Sequence, residues 1–171
     1  MKMRNWITGL VLLLSMSIPL RAQQTAHADL IDAKGQKIGT ATLEQTPNGV
    51  EISLSAAQLS PGVHGFHIHS VGKCDVPDFK TAGPHFNPDA KKHGLKNPDG
   101  PHNGDLSNLM VAADGTVKAT VIDKNVTLGE GPNSLFHPDG TALVIHAGPD
   151  DEMTDPAGNS GARIACGVIQ K

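Results

Sequence analysis

Aromatic side chains are scarce: 171 residues contain no tyrosine, one tryptophan and four phenylalanines. Trp6 lies in an N-terminal apolar stretch, so the core of the remaining chain must be built from Val, Ile, Leu and Ala. Basic residues are in deficit. Lys2, Arg4 and Arg21 precede position 23, and without them 11 of the 14 basic residues face all 17 acidic ones, a formal charge of −6. That balance disfavours a nucleic-acid or anionic-membrane partner. There is no amphipathic helical pattern of useful length, no repeat and no low-complexity tract. No apolar run reaches the roughly 20 residues of a spanning helix.

The length suits one domain with a proper core rather than two. Lys2 and Arg4 form a positive start, Ile7 to Leu20 is nearly all apolar, and Leu20-Arg21-Ala22 offers a small residue at the expected cleavage point. This is the pattern of a secretory signal peptide over residues 1–22, with the mature domain spanning 23–171 and working in the periplasm or outside the cell, free of the membrane after cleavage. No cysteine follows the apolar run, which argues against lipid attachment. The two cysteines, Cys74 and Cys166, then face an oxidising compartment, where one disulfide is the default and two buried free thiols the other reading. Such a bridge closes a loop of about 90 residues, worth roughly 4–5 kcal/mol if chain entropy dominates.

Short β-type segments alternate with turn signals. Ala26–Ile31, Ile38–Gln45 and Val50–Ala56 come first, the last with Val50, Ile52 and Leu54 alternating with polar residues and preceded by the hairpin pair Asn48-Gly49. A strand is expected over His64–His69, with His67 and His69 on one face and Phe66 and Ile68 on the other. Further strands are expected at Leu106–Ala112, Val117–Ile122, Ala142–His146 and Arg163–Ile169. The segments between, Ser70 to Gly104 and Ala147 to Ala162, are rich in Gly, Pro and Asp and lack periodicity; loops of that length need something to order them. The expectation is an all-β, eight-stranded Greek-key barrel or sandwich carrying two long functional loops.

What the chain does have is histidine. Six of its nine histidines fall between His64 and His102, followed by Asp105, and His146 returns on a distant strand. His67 and His69 offer two imidazoles from a rigid strand. His93, His102 and Asp105 offer nitrogen and hard oxygen of the kind zinc takes, and His85 lies between the two groups in sequence. A nitrogen-rich set without thiolate suits copper, which changes oxidation state where zinc does not. By strand parity His64 points away from His67 and His69, so a hydrogen-bonding role is at least as good a reading there; His27 and His137 carry no assignment.

The segments His64–His69 (HGFHIH), Ala82–Pro88 (AGPHFNP), Lys92–Gly94 (KHG), His102–Leu106 (HNGDL), Val144–His146 (VIH) and Gly158–Ile169 (GNSGARIACGVI) resemble the copper–zinc superoxide dismutases, in that family's order and near its spacings. The family is itself a standard example of sandwich architecture and of electrostatic steering. The resemblance implies copper held by His67, His69, His85 and His146, and zinc held by His85, His93, His102 and Asp105, with His85 bridging as an imidazolate. It implies that Asp150 orients one ligand histidine of each metal, that Arg163 docks the anionic substrate, and that Cys74–Cys166 ties the long loop to the last strand. The activity implied is ping-pong conversion of superoxide to dioxygen and hydrogen peroxide by redox cycling of copper, with His85 taking and returning a proton.

One departure stands out. The 147–162 loop is shorter than in eukaryotic enzymes and carries Asp150, Asp151, Glu152 and Asp155 with no lysine, a pattern closer to bacterial members. Lys91, Lys92 and Lys96 of the other loop either form a local positive funnel for the substrate or are ordinary solvated lysines. A non-catalytic copper or zinc carrier on the same fold is the alternative function, but it should lack a copper histidine or the arginine, and here all are filled. A zinc hydrolase fits less well, because the loop ligand set is closed. Family members pair through different surfaces or not at all, so a homodimer is possible.

Overall fold

A computed structural model describes residues 23–171; the signal-peptide reading of residues 1–22 lies outside the described residues. Nine strands follow in order: β1 (Thr25–Asp32), β2 (Lys37–Thr46), β3 (Gly49–Ala56), β4 (Gly62–His64), β5 (Phe66–His69), β6 (Leu109–Val111), β7 (Val117–Asp123), β8 (Ala142–His146) and β9 (Arg163–Val168). Period-two alternation does most of this. β1 buries Ala26, Ala28 and Leu30 between exposed neighbours, and β3 buries Val50, Ile52, Leu54 and Ala56. Antiparallel register then stacks these residues in rows, with Ala28 opposite Ala41, Leu43 opposite Ile52 and Ile52 opposite Val121. Each fully buried Leu or Ile in such a row contributes roughly 1.5–3 kcal/mol.

Seven strands form one sheet in the order β5-β8-β9-β1-β2-β3-β7, and β4 pairs with β6 in a separate ribbon. The β3-to-β5 and β7-to-β8 connections cross between the two ends of the sheet, the Greek-key feature. Because β4 runs into β5 and β6 lies against β7, the ribbon links the two edge strands and curls the sheet into a barrel. The single strand expected over residues 64–69 is two strands that meet at Gly65. The Gly65 N–H donates to the Gly148 carbonyl (2.8 Å) and its carbonyl accepts from the His146 N–H (2.9 Å), which removes it from both ladders. Counting β4 and β5 as halves of one broken strand recovers the expected eight.

β8 is buried along its whole length because it has a core on each side. Leu143 and Ile145 face the barrel interior, while Ala142 and Val144 join Phe79, Ala82 and Cys166 in a small outer cluster. That outer cluster is roofed by the long 70–108 segment, whose regular structure is one 3₁₀ turn at Lys80–Ala82. The two cysteines meet there, joined as the Cys74–Cys166 disulfide. No helix among the described residues is long and apolar enough to cross a membrane.

Candidate metal centre

The barrel wall and the long loop converge on eight polar side chains, all buried: His67, His69, His85, His93, His102, Asp105, His146 and Asp150. The loop reaches the wall by pairing with it. The Ile68 N–H donates to the Gly104 carbonyl and the Phe86 N–H to the Ile68 carbonyl, both at 2.8 Å, which sets His85 beside His69 and Asp105 beside His67. A Cβ at position 104 would lie 2.3 Å from the Ile68 oxygen, so this approach requires glycine.

On one side, four imidazoles converge: one ring nitrogen each of His67, His69, His85 and His146 lies within 4.8 Å of the others. In each ring the opposite nitrogen is committed elsewhere. His67 Nε2–H donates to Asp150 Oδ2 (2.6 Å), His69 Nδ1–H to the Gly83 carbonyl (2.8 Å) and His146 Nδ1–H to the Gly161 carbonyl (3.2 Å). His85 Nδ1 faces Asp105 Oδ1 at 2.9 Å. Each outer partner fixes a ring's orientation and leaves a lone pair pointing inward. His69 Nε2 and His146 Nε2 stand 3.4 Å apart, and His67 Nδ1 and His85 Nε2 are buried without any hydrogen-bond partner. Buried polar atoms are rarely left so; inward-facing orphans are what a cation would satisfy.

On the other side, Asp105 Oδ1 is ringed by three Nδ1 atoms: His85 at 2.9 Å, His93 at 3.0 Å and His102 at 3.4 Å. His102 Nδ1 is 3.5 Å from His85 Nδ1. A tetrahedral ion with bonds of about 2.0–2.1 Å needs donors about 3.3–3.4 Å apart, so the set fits zinc. His67 also comes within 4.8 Å of His85, His93 and Asp105. Its Nε2 is taken by Asp150, while His102 Nδ1 lies 3.4 Å from Asp105 Oδ1, near enough to serve as a donor beside the other three. Asp105 Oδ2 is pinned by the Gly94 N–H (2.8 Å) and His102 N–H (2.9 Å).

His85 thus presents Nδ1 to one cluster and Nε2 to the other. Asp150 joins them a second time, accepting from His67 through Oδ2 and from His93 Nε2–H through Oδ1 (3.0 Å). Two residues that sequence reading passed over support this carboxylate. Asn108 accepts the Asp150 N–H through Oδ1 (2.8 Å) and donates through Nδ2 to the Asp150 carbonyl (2.9 Å). Gly158 leaves room for it, since a Cβ there would sit 1.7 Å from Asp150 Oδ1. Both contacts are tertiary and carry no local sequence signal, although Gly158 opens the Gly-Asn-x-Gly motif.

Burial holds His85 down to about 4 and His146 to about 3, and lowers His69 well below its usual value, so these rings are neutral and able to accept a cation at neutral pH. For His93, burial acts downward but the hydrogen bonds to Asp105 and Asp150 prevail and raise it to about 9. Asp105 and Asp150 are held well below the carboxylate range despite burial, by their imidazole partners and backbone N–H donors.

Arg163 opens β9 opposite His146. Its Nη1 donates to the Phe79 carbonyl and its Nη2 to the Gly83 carbonyl, each at 2.7 Å, and Gly83 O also accepts from His69. The guanidinium is therefore clamped beside the four-imidazole cluster by the loop that the disulfide anchors three residues further along β9. His64 lies outside both clusters: its Nδ1 lies 2.7 Å from the His146 carbonyl oxygen and its Nε2 2.8 Å from that of Ser60. His137 stacks on Phe86. The loop lysines are partly neutralised, Lys92 by Asp155 (3.3 Å) and Lys96 by Glu152 (2.7 Å).

A Greek-key barrel bearing two metal-ready clusters fused through one histidine defines a binuclear metalloprotein. The profile of the family "Copper/zinc superoxide dismutase (SODC)" matches residues 37–169, and the chain belongs to that family. Superoxide dismutase [Cu-Zn] 1 of Aquifex aeolicus is 53% identical over 97% of this chain and 98% of the relative. The crystal structure of a SOD-like protein from Bacillus subtilis superposes with a TM-score of 0.81 at 41% identity, covering 83% of this chain and 96% of that one. The Cu/Zn superoxide dismutase of Brucella abortus gives 0.71 at 29% identity, covering 86% and 100%.

Proposed function

We propose that the protein is a superoxide dismutase, with copper held by His67, His69, His85 and His146 and zinc by His85, His93, His102 and Asp105. One observation carries this: His85 turns its two nitrogens to two separate donor sets, one of nitrogens only and one closed by a carboxylate. Copper, when bound, supplies one-electron chemistry in both directions. The chain does the rest. Arg163 offers a fixed cation next to the inward-facing nitrogens, where an anion such as superoxide docks. His85 Nε2 is the nitrogen placed to take a proton and give it up again, because its Nδ1 is committed to the zinc side. Asp150 holds a ring of each set in one orientation. The carrier alternative predicts a missing ligand or arginine; this chain has all of them.

The Cys74–Cys166 bridge and the charged-then-apolar residues 1–22 support a cleaved signal peptide, with residues 23–171 folding as one domain in the periplasm or outside the cell. The test of function is superoxide consumption by the copper- and zinc-loaded mature chain, with metal content measured in parallel. Fast turnover with about one copper and one zinc per chain is expected. His146→Ala should lose copper and activity while keeping zinc. Full metal content without turnover would establish the carrier.

A further inference from the structure

We infer that Asp155 is a positioning residue of the zinc half-site, acting on His93 and His102 from the 147–162 loop, an inference that rests on the zinc assignment proposed above. Each other ligand histidine has a hydrogen-bond acceptor behind its ring or, for His85, a second ligand set. Asp150 serves His67 and His93, the Gly83 carbonyl serves His69, and the Gly161 carbonyl serves His146. His102 is the exception. The acceptor facing its Nε2 is Asp155 Oδ1 at 3.7 Å, too long for a hydrogen bond but close for a charge. The same Oδ1 accepts the His93 N–H at 2.8 Å, so one oxygen reaches both zinc-side histidines that His85 does not supply.

With Nδ1 engaged by a metal ion, His102 would carry its ring proton on Nε2, where Asp155 is the carboxylate placed to attract it. His102 borders an open cavity of about 640 Å³ lined also by Lys91, Lys92 and Asp155, so without the carboxylate its Nε2 would have only solvent as a partner. Neighbouring contacts keep Asp155 in place: Lys96 N–H donates to the Glu152 carbonyl (3.0 Å), and Asn97 Nδ2 to the Met153 carbonyl (3.1 Å). Asp150 and Asp155, two of the acidic residues that look ill-suited to an anionic substrate, are used through their side chains to fasten the metal loop.

The mature chain, loaded with zinc or with Co(II) as a spectroscopic probe, is compared with Asp155→Asn, Asp155→Glu and Lys92→Ala. Asp155→Asn should release zinc to a chelator about 10–100-fold faster and shift the visible Co(II) bands. Its metal-free thermal midpoint should stay within about 2 °C of the parent. Asp155→Glu, which keeps the charge, should recover part of the retention. Lys92→Ala should stay within about threefold, since its exposed pair with Asp155 is weak. Zinc release within threefold and unchanged Co(II) bands in Asp155→Asn would overturn the inference, as would loss of retention matched by a lower metal-free midpoint. A parent chain that takes up neither ion at these residues would instead refute the zinc assignment itself, before any variant is made.

Discussion

Asp123 shows how strongly burial acts in this molecule on a residue outside the metal centre. It ends β7, is 3% exposed, accepts the Asn125 N–H through Oδ1 (2.9 Å) and leaves Oδ2 without a partner. Burial, helped by the charge of Asp105 and opposed by the Asn125 hydrogen bond, raises it to about 7. Below its ordinary range the carboxyl is protonated in folded and unfolded chains alike. Between that range and about 7 only the folded chain keeps the proton, so stability falls as pH rises through this window and the loss is complete above it. Asp123→Asn removes the titration and keeps the acceptor for Asn125. The stability of Asp123→Asn relative to the parent, from chemical denaturation, should therefore grow by a few kcal/mol between about pH 4 and pH 8. A constant difference across that range would show that Asp123 is ionised in the folded protein.

Among elements, the strands were the most legible part of the sequence, because alternation of Val, Ile and Leu with polar residues is a local signal. β8 matched its expected bounds, and β1, β2 and β3 came within a residue at each end. What escaped was set by distant partners. The break at Gly65 follows from its bonds to Gly148 and His146, and the shortening of Leu106–Ala112 to Leu109–Val111 leaves Asn108 free to clamp Asp150, 42 residues on. The histidines and Asp105 that converge here were legible as candidate ligands because chemistry restricts the residue types that can bind a metal. Their outer partners, Asn108, Gly158 and Asp155, were not, because any loop contains Asn, Gly and Asp. The disulfide acts at this scale too. It closes 92 residues, anchors the roof of the outer cluster and, through that roof, the Phe79 and Gly83 carbonyls that clamp Arg163. Replacing both cysteines by serine should cost about 4–5 kcal/mol of stability on the chain-entropy account. Turnover should fall further than copper content does, since Arg163 loses its seat while the histidines keep theirs. Equal losses of turnover and copper would mean that the loop holds Arg163 without the bridge.

At the scale of the whole molecule, a chain of net charge −6 after position 22 must attract an anion. Long-range attraction requires uncompensated positive charge within a Debye length of about 8 Å at physiological ionic strength. The zinc-loop lysines do not provide much of it. Lys96 lies 2.7 Å from Glu152 and Lys92 3.3 Å from Asp155, and each pair presents a dipole rather than a charge to an approaching ion. Of these three lysines, Lys91 has no ion-pair partner among the described residues. Arg163, by contrast, is held by two carbonyl oxygens with no carboxylate bonded to it among the described residues, so its charge stays beside the inward-facing imidazoles. Capture should then depend on this one short-range cation. Neutralising Lys91, Lys92 and Lys96 together to glutamine should leave the ionic-strength dependence of kcat/KM unchanged within about twofold. Arg163→Met should lower kcat/KM at every salt concentration while copper and zinc contents hold. If the triple variant flattens the salt dependence instead, the exposed ion pairs open in solution and the zinc loop does steer the substrate.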